Sequence, residues 1–124
     1  MSIPVAAASL AGPIEERGPT AYLVTVGGDD RPHVVAVTVG WHGESLVANA
    51  GRTTTANVAL HPDVTLIWPA RPGSGYSLIV DGRARSTDGD GPSSLAIDPR
   101  KAVLHRTPEG DPSSPSCITV LPPP

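Results

Sequence analysis

Asn49-Ala50-Gly51-Arg52-Thr53-Thr54-Thr55-Ala56-Asn57-Val58-Ala59-Leu60-His61-Pro62 follows one strand-like run and precedes another. Between them it reads as one short helix with a polar, cationic start and a proline stop. Gly51 permits a sharp entry. The Thr hydroxyls are positioned to cap the helix, whose first N–H groups have no internal acceptor. Three Thr in a row are poor helix formers in an interior, but that cost is smaller at an N-terminus. Thr53, Ala56, Asn57 and Leu60 share one predicted face by their spacing. His61-Pro62 ends the helix, because proline disfavours the α conformation in the residue before it. A helix start flanked by Arg52 and hydroxyls suits an anion, above all a phosphate. The plain alternative is a capped helix with a solvated arginine.

Upstream lie three short strands joined by tight turns. Thr20 to Gly27 is rich in strand formers and runs into the turn Gly27-Gly28-Asp29-Asp30. Pro32 opens a second strand, where a missing N–H does least harm. Val35, Val37, Val39 and Trp41 share one face of it. The smaller Val34, Ala36, Thr38 and Gly40 share the other, leaving room for a flat ligand or for a closely packed neighbour. After the turn His42-Gly43-Glu44, Ser45 to Ala50 alternates as a third strand, which predicts an antiparallel meander.

Downstream, Val64 to Trp68 is a fourth strand stopped by Pro69, and Ala70 to Gly75 is a loop. Tyr76 to Ser86 alternates most clearly, with Gly82 marking a bulge or bend. Thr87 to Pro92 is a polar turn. Leu95-Ala96-Ile97 and Ala102 to His105 read as one last strand interrupted at Asp98-Pro99, with a short helix from Pro99 as the alternative. A mainly β fold follows: a six-stranded antiparallel split barrel with one or two short helices, whose closure removes sheet edges. Residues 1–18 form an N-terminal arm in which Val5 to Leu10 favours a helix ended by Gly12-Pro13. Residues 19–106 form the barrel domain. Residues 107–124 hold six prolines and read as an extended tail.

With 124 residues and no Phe, the core must be built from Val, Leu, Ile and Ala. So small a core favours association into a dimer. The formal charge is −3 with signs dispersed, so neither nucleic acid nor a membrane surface is an expected partner. A single cysteine, Cys117, makes no internal disulfide, and no charged, apolar leader is evident, so a cytoplasmic location is expected. His33, His42, His61 and His105 are scattered without ligand spacing, so no metal site is expected. There is no nucleophile elbow, and Gly73-Ser74-Gly75 precedes a strand, so it is no dinucleotide fingerprint.

The ordered series Pro32-His33-Val34-Val35-Ala36-Val37, then Asn49 to Asn57, then His61-Pro62-Asp63-Val64, then Gly75-Tyr76 to Gly82-Arg83-Ala84, resembles the pyridoxamine 5'-phosphate oxidase-like family. The resemblance spans residues 19–86 and implies the flavin-binding split barrel. It implies that Arg52, Thr53 and Thr54 grip the phosphate of flavin mononucleotide (FMN), with Asn49 beside them. It further implies that Val35, Ala36 and Val37 line the isoalloxazine ring, and that Trp68 touches the ring edge or an interface. It implies a homodimer with the cofactor at the interface and an FMN-dependent oxidoreductase acting on a small molecule. The alternatives on the same fold are a non-catalytic flavin or haem binding protein and a deazaflavin-dependent reductase. Three departures stand out, and the first is that the cation expected near the second strand is missing unless Arg31 serves. Thr53 replaces the usual Lys of the grip, and the Arg-rich C-terminal segment of the vitamin B6 enzyme is missing, so pyridoxamine phosphate oxidation is not expected. No catalytic acid or base is dictated, with His33 and Tyr76 the candidates.

Overall fold

A computed structural model describes residues 7–71, 75–87, 93–106 and 117–121. The centre of the expected 70–75 loop, most of the 87–92 turn, the start of the N-terminal arm and most of the C-terminal tail lie outside these residues. Seven strands run β1 (Thr20–Val26), β2 (Pro32–His42), β3 (Ser45–Ala50), β4 (Asp63–Trp68), β5 (Ser77–Ser86), β6 (Ser93–His105) and β7 (Cys117–Leu121). Two helices, α1 (Ala11–Arg17) and α2 (Arg52–Leu60), accompany them, and a 3-10 turn, Ala7–Leu10, leads into α1.

The sheet order is β3-β2-β1-β4-β5-β6-β7, and β3 also pairs with β6. Strands β1 to β6 therefore close into an antiparallel barrel, as the alternation predicts. β6 is long enough to serve two neighbours on one edge. Its first half pairs with β3, Leu46↔Ile97 to Ala50↔Ser93. Its second half pairs with β7.

The last strand runs unbroken through Asp98-Pro99. The pairing with β5 absorbs the proline by a register shift between Asp81 and Gly82. Gly82 lets the strands approach here, since a Cβ would lie 2.8 Å from the Asp98 carbonyl oxygen. The proline-rich tail is corrected in one place, because Cys117–Leu121 is strand β7. Between the prolines, Ile118-Thr119-Val120 is a β-branched run, and the free edge of β6 accepts it.

The barrel interior is filled by one side of each strand. Leu23, Leu46, Leu66, Leu78, Val80 and Leu95 are fully buried. On β2 only Val37 and Val39 of the face shared by Val35, Val37, Val39 and Trp41 are buried, while Trp41 is 37% exposed. The expected arm belongs to the core as well, with Leu10 and Ile14 buried. Gly12-Pro13 does not end a helix. It lies in the first turn of α1, where proline's missing N–H removes no bond. Arg17, 6% exposed at its side chain, ties α1 down by donating to the carbonyls of Pro13 at 2.9 Å and Tyr76 at 3.0 Å.

Candidate functional site

The site arises where the barrel comes apart. The β2–β3 ladder runs from His42↔Ser45 to Val39↔Ala48. β3 then stays with β6, while β2 continues along β1 as far as Val26↔Pro32. The first half of β2 is therefore an open edge. Val39 N–H donates to the Pro19 carbonyl on the β1 side at 2.7 Å. By the alternation of an antiparallel ladder, Val35 and Val37 also bond towards β1, and the backbone groups of Val34, Ala36 and Thr38 point to the open side.

α2 follows β3 directly, and its first turn borders this opening. A cleft of about 300 Å³ is walled on the β2 side by His33, Val35, Ala36 and Val37. Asn49, Ala50 and Gly51, at the end of β3, form the opposite wall, and Arg52, Thr53 and Thr54 close one end. Seven of the eight sequence-predicted cofactor residues thus meet in one cleft. The exception is Trp68, expected at the ring edge or an interface. It is fully buried in the core, and its Nε1 donates to the Gly18 carbonyl at 3.1 Å. β4 turns its even-numbered residues, Trp68 among them, inward. Tyr76 also stands apart from the cleft, with Arg106 stacked 5.1 Å from its ring centre.

The start of α2 differs from the expected cap. Gly51 is the N-cap and offers no side chain. The Thr55 hydroxyl turns back to the Gly51 carbonyl at 2.9 Å. The first helical bond is Thr55 N–H to the Gly51 carbonyl at 3.0 Å, so the N–H groups of Arg52, Thr53 and Thr54 have no helical acceptor. Thr54 is only 2% exposed and lines the cleft. The Arg52 guanidinium makes no hydrogen bond or ion pair among the described residues. Three backbone donors, one hydroxyl and one cation converge where an anion fits.

The buried face of α2 is Thr54, Asn57 and Val58, not the predicted face containing Thr53 and Leu60. Leu60 is 63% exposed. The i, i+3, i+4 spacing of Thr54, Asn57 and Val58 was equally available in the sequence. Burying Leu60 is the apolar choice, but the barrel wall beneath α2 presents a hydroxyl, Thr25, and Asn57 satisfies it. The Asn57 amide donates to Thr25 Oγ1 at 3.1 Å. Among the described residues no cluster of three His, Cys, Asp or Glu side chains is placed to hold a metal. None of the described helices is long and apolar enough to cross a membrane.

Two mycobacterial proteins, both uncharacterized, from Mycobacterium bovis and Mycobacterium tuberculosis, are each 40% identical to this chain over 111 residues. The match covers 79% of this chain and 77% of each relative. The chain belongs to their family. No family model matches it. Solved structures then name the fold. A provisionally assigned pyridoxamine 5'-phosphate oxidase of Listeria innocua has a TM-score of 0.65 at 21% identity, covering 79% of this chain and 97% of its own. An F420 reductase scores 0.57 at 18% identity, covering 69% and 90%. A haem binding protein of Mycobacterium smegmatis scores 0.63 at 16% identity, covering 95% and 60%. A FAD-binding protein of Mesorhizobium loti shares the architecture as well. The fold is the split barrel of the pyridoxamine 5'-phosphate oxidase-like proteins, a family that carries flavins, deazaflavin and haem on one scaffold.

Proposed function

We propose that this chain binds a flavin, with its ring along β2 and its phosphate at the start of α2, and that it works as a flavin-dependent oxidoreductase on a small molecule. FMN is the cofactor that the family resemblance implies. One observation carries the reading. The Thr54 hydroxyl, the Arg52 guanidinium and the open N–H groups of α2 meet at one end of a cleft whose long wall is an unpaired strand edge. A bound isoalloxazine supplies reversible hydride or electron transfer.

The chain's own residues provide the hold. Arg52 gives a charge-assisted hydrogen bond to phosphate, and the backbone N–H groups add directed donors. The open backbone of Ala36 offers a donor and an acceptor to a flat heterocycle. Val35 and Val37 present an apolar strand surface beside it. His33 is the titratable side chain along the β2 wall and the candidate proton donor or acceptor.

A homodimer belongs to this proposal. Tyr22 and Val34 are 45% and 56% exposed on the outer face of the barrel. Tyr22 pairs with Ala36, which lines the cleft, so this apolar face is continuous with the open side of the site. A second copy seated there covers the cofactor and excludes water.

The purified protein is tested by absorption spectroscopy and by titration with FMN. Flavin bands, or saturable uptake with altered fluorescence, support the reading. A protein that takes up neither FMN, FAD nor deazaflavin F420 overturns it. Haem is the second reading, favoured by His33 as a side chain in the cleft able to serve as an axial ligand. A Soret band on adding haem, lost in His33→Ala, selects it.

A further inference from the structure

A second cleft, of about 280 Å³, adjoins the first and shares His33 and Thr53 with it. It lies between α2 and the hairpin that joins β1 to β2. Besides the shared imidazole, its ionisable lining is one carboxylate, Asp29, and one guanidinium, Arg31.

These opposite charges stand two residues apart on one hairpin, yet among the described residues they form no ion pair. The turn explains why. Asp29 Oδ1 accepts the backbone N–H of Arg31 at 3.1 Å, which fixes the carboxylate against the hairpin backbone. The Arg31 side chain makes no hydrogen bond among the described residues. The hairpin thus keeps a negative and a positive group on one cleft without letting them neutralise each other.

Acceptors gather on the carboxylate side. The Asn57 amide nitrogen is engaged with Thr25 Oγ1, and the oxygen of the same amide lies towards Gly27. The place a Cβ would take on Gly27 is 2.9 Å from Asp29 Oδ1, 3.5 Å from Asn57 Oδ1 and 3.8 Å from the Arg31 carbonyl oxygen. Glycine leaves these oxygens open to the cleft. A primary ammonium has three N–H donors and one charge, which matches three oxygens of which one is anionic. A carboxylate is the bidentate partner of a guanidinium. An anion alone would meet the Asp29 carboxylate, and a cation alone would meet Arg31. The lining therefore suits a ligand that carries both charges.

We infer that the second cleft binds a small zwitterion of amino-acid type. Its ammonium is held by Asp29, Asn57 and the Arg31 carbonyl, and its carboxylate by the Arg31 guanidinium. This site goes beyond the flavin reading above and stands whether or not a flavin occupies the first cleft.

The full chain, labelled with nitrogen-15, is titrated with L-alanine, propylamine and propionate at neutral pH and matched ionic strength. These probes carry both charges, the ammonium alone and the carboxylate alone. Alanine is expected to shift the backbone amide signals of Gly27 and Arg31 saturably. It should bind at least about tenfold more tightly than either single-charge probe, the scale of one charge-assisted contact. Asp29→Asn keeps the acceptor of the turn and removes its charge, and Arg31→Gln removes the guanidinium. Each should weaken alanine binding about tenfold. Propylamine or propionate binding as tightly as alanine overturns the zwitterion. Alanine affinity unchanged in both variants places its binding outside this cleft and overturns the assignment. Absence of a saturable shift with all three probes overturns the site and leaves the flavin reading standing.

Discussion

The side-chain amide of Asn57 on α2 donates to the hydroxyl of Thr25 on β1, 3.1 Å apart, and both residues are buried. This bond orients the helix whose first turn forms the proposed anion grip. Asn57→Ala leaves a buried hydroxyl without its donor, and Thr25→Val leaves a buried amide without its acceptor. Each should lower unfolding stability by ~1–3 kcal/mol in urea titrations. The double variant should lose less than the sum, because neither group is then orphaned. Additive losses would remove the bond from the account of α2.

In the proposed site, Arg52 contributes to binding and not to folding. It is exposed, and among the described residues its side chain touches no acceptor. Arg52→Ala is expected to weaken flavin binding by ~1.5–3 kcal/mol. The unliganded protein should keep its stability to within about 0.5 kcal/mol. Isothermal titration together with urea unfolding separates the two effects. Unchanged affinity returns Arg52 to the role of a solvated residue at a helix start.

The barrel seam carries the acid sensitivity. Ser45 Oγ on β3 donates to Asp98 Oδ1 on β6 at 2.5 Å, and Arg85 on β5 reaches Asp98 Oδ2 at 2.6 Å. The Ser45 hydrogen bond, with the Arg85 charge, holds the Asp98 carboxyl below its ordinary pKa, against a smaller opposing effect of desolvation. A carboxylate with a lowered folded-state pKa stabilises the protein above its unfolded pKa. That stabilisation is lost as pH falls from about 4 through the folded value. Solvent screening limits its size, because the Asp98 side chain is 43% exposed. Asp98→Asn should therefore flatten this part of the acid unfolding curve and leave the curve near neutrality parallel to that of the parent. An unaltered acid limb would show that the seam bonds do not couple to folding.

The exposed pair Tyr22 and Val34 supplies the test of assembly. Val34→Asp places a charge on the apolar outer face without touching the core, as Val34 is 56% exposed. Sedimentation should show a dimer for the parent chain and a monomer for the variant, with weaker flavin binding where the partner no longer covers the cleft. A parent chain that stays monomeric at high concentration contradicts the proposed interface.

Local chemistry made most of the elements legible. Residues 45–50 alternate cleanly, Gly and Pro punctuate the turns, and α2 was bounded by Gly51 and Pro62. The residues that line the cleft were legible where a single segment holds them, as at Arg52-Thr53-Thr54. Trp68 was misjudged because an aromatic residue at a strand end reads alike whether it faces a ligand or the core. Strand β7 was missed because the surrounding prolines mask a short β-branched run whose pairing partner lies far away in the sequence.

The sequence by itself determined strands β1 to β6, the single helix between β3 and β4, and an anion-suited turn at its start, since these depend on period, propensity and capping over a few residues. Only the tertiary structure decided where that turn looks. The parting of β2 from β3 beyond Val39↔Ala48 and the closure of β3 on β6 are meetings of distant segments. Such meetings are set by which faces can be buried together, and no local pattern encodes that choice.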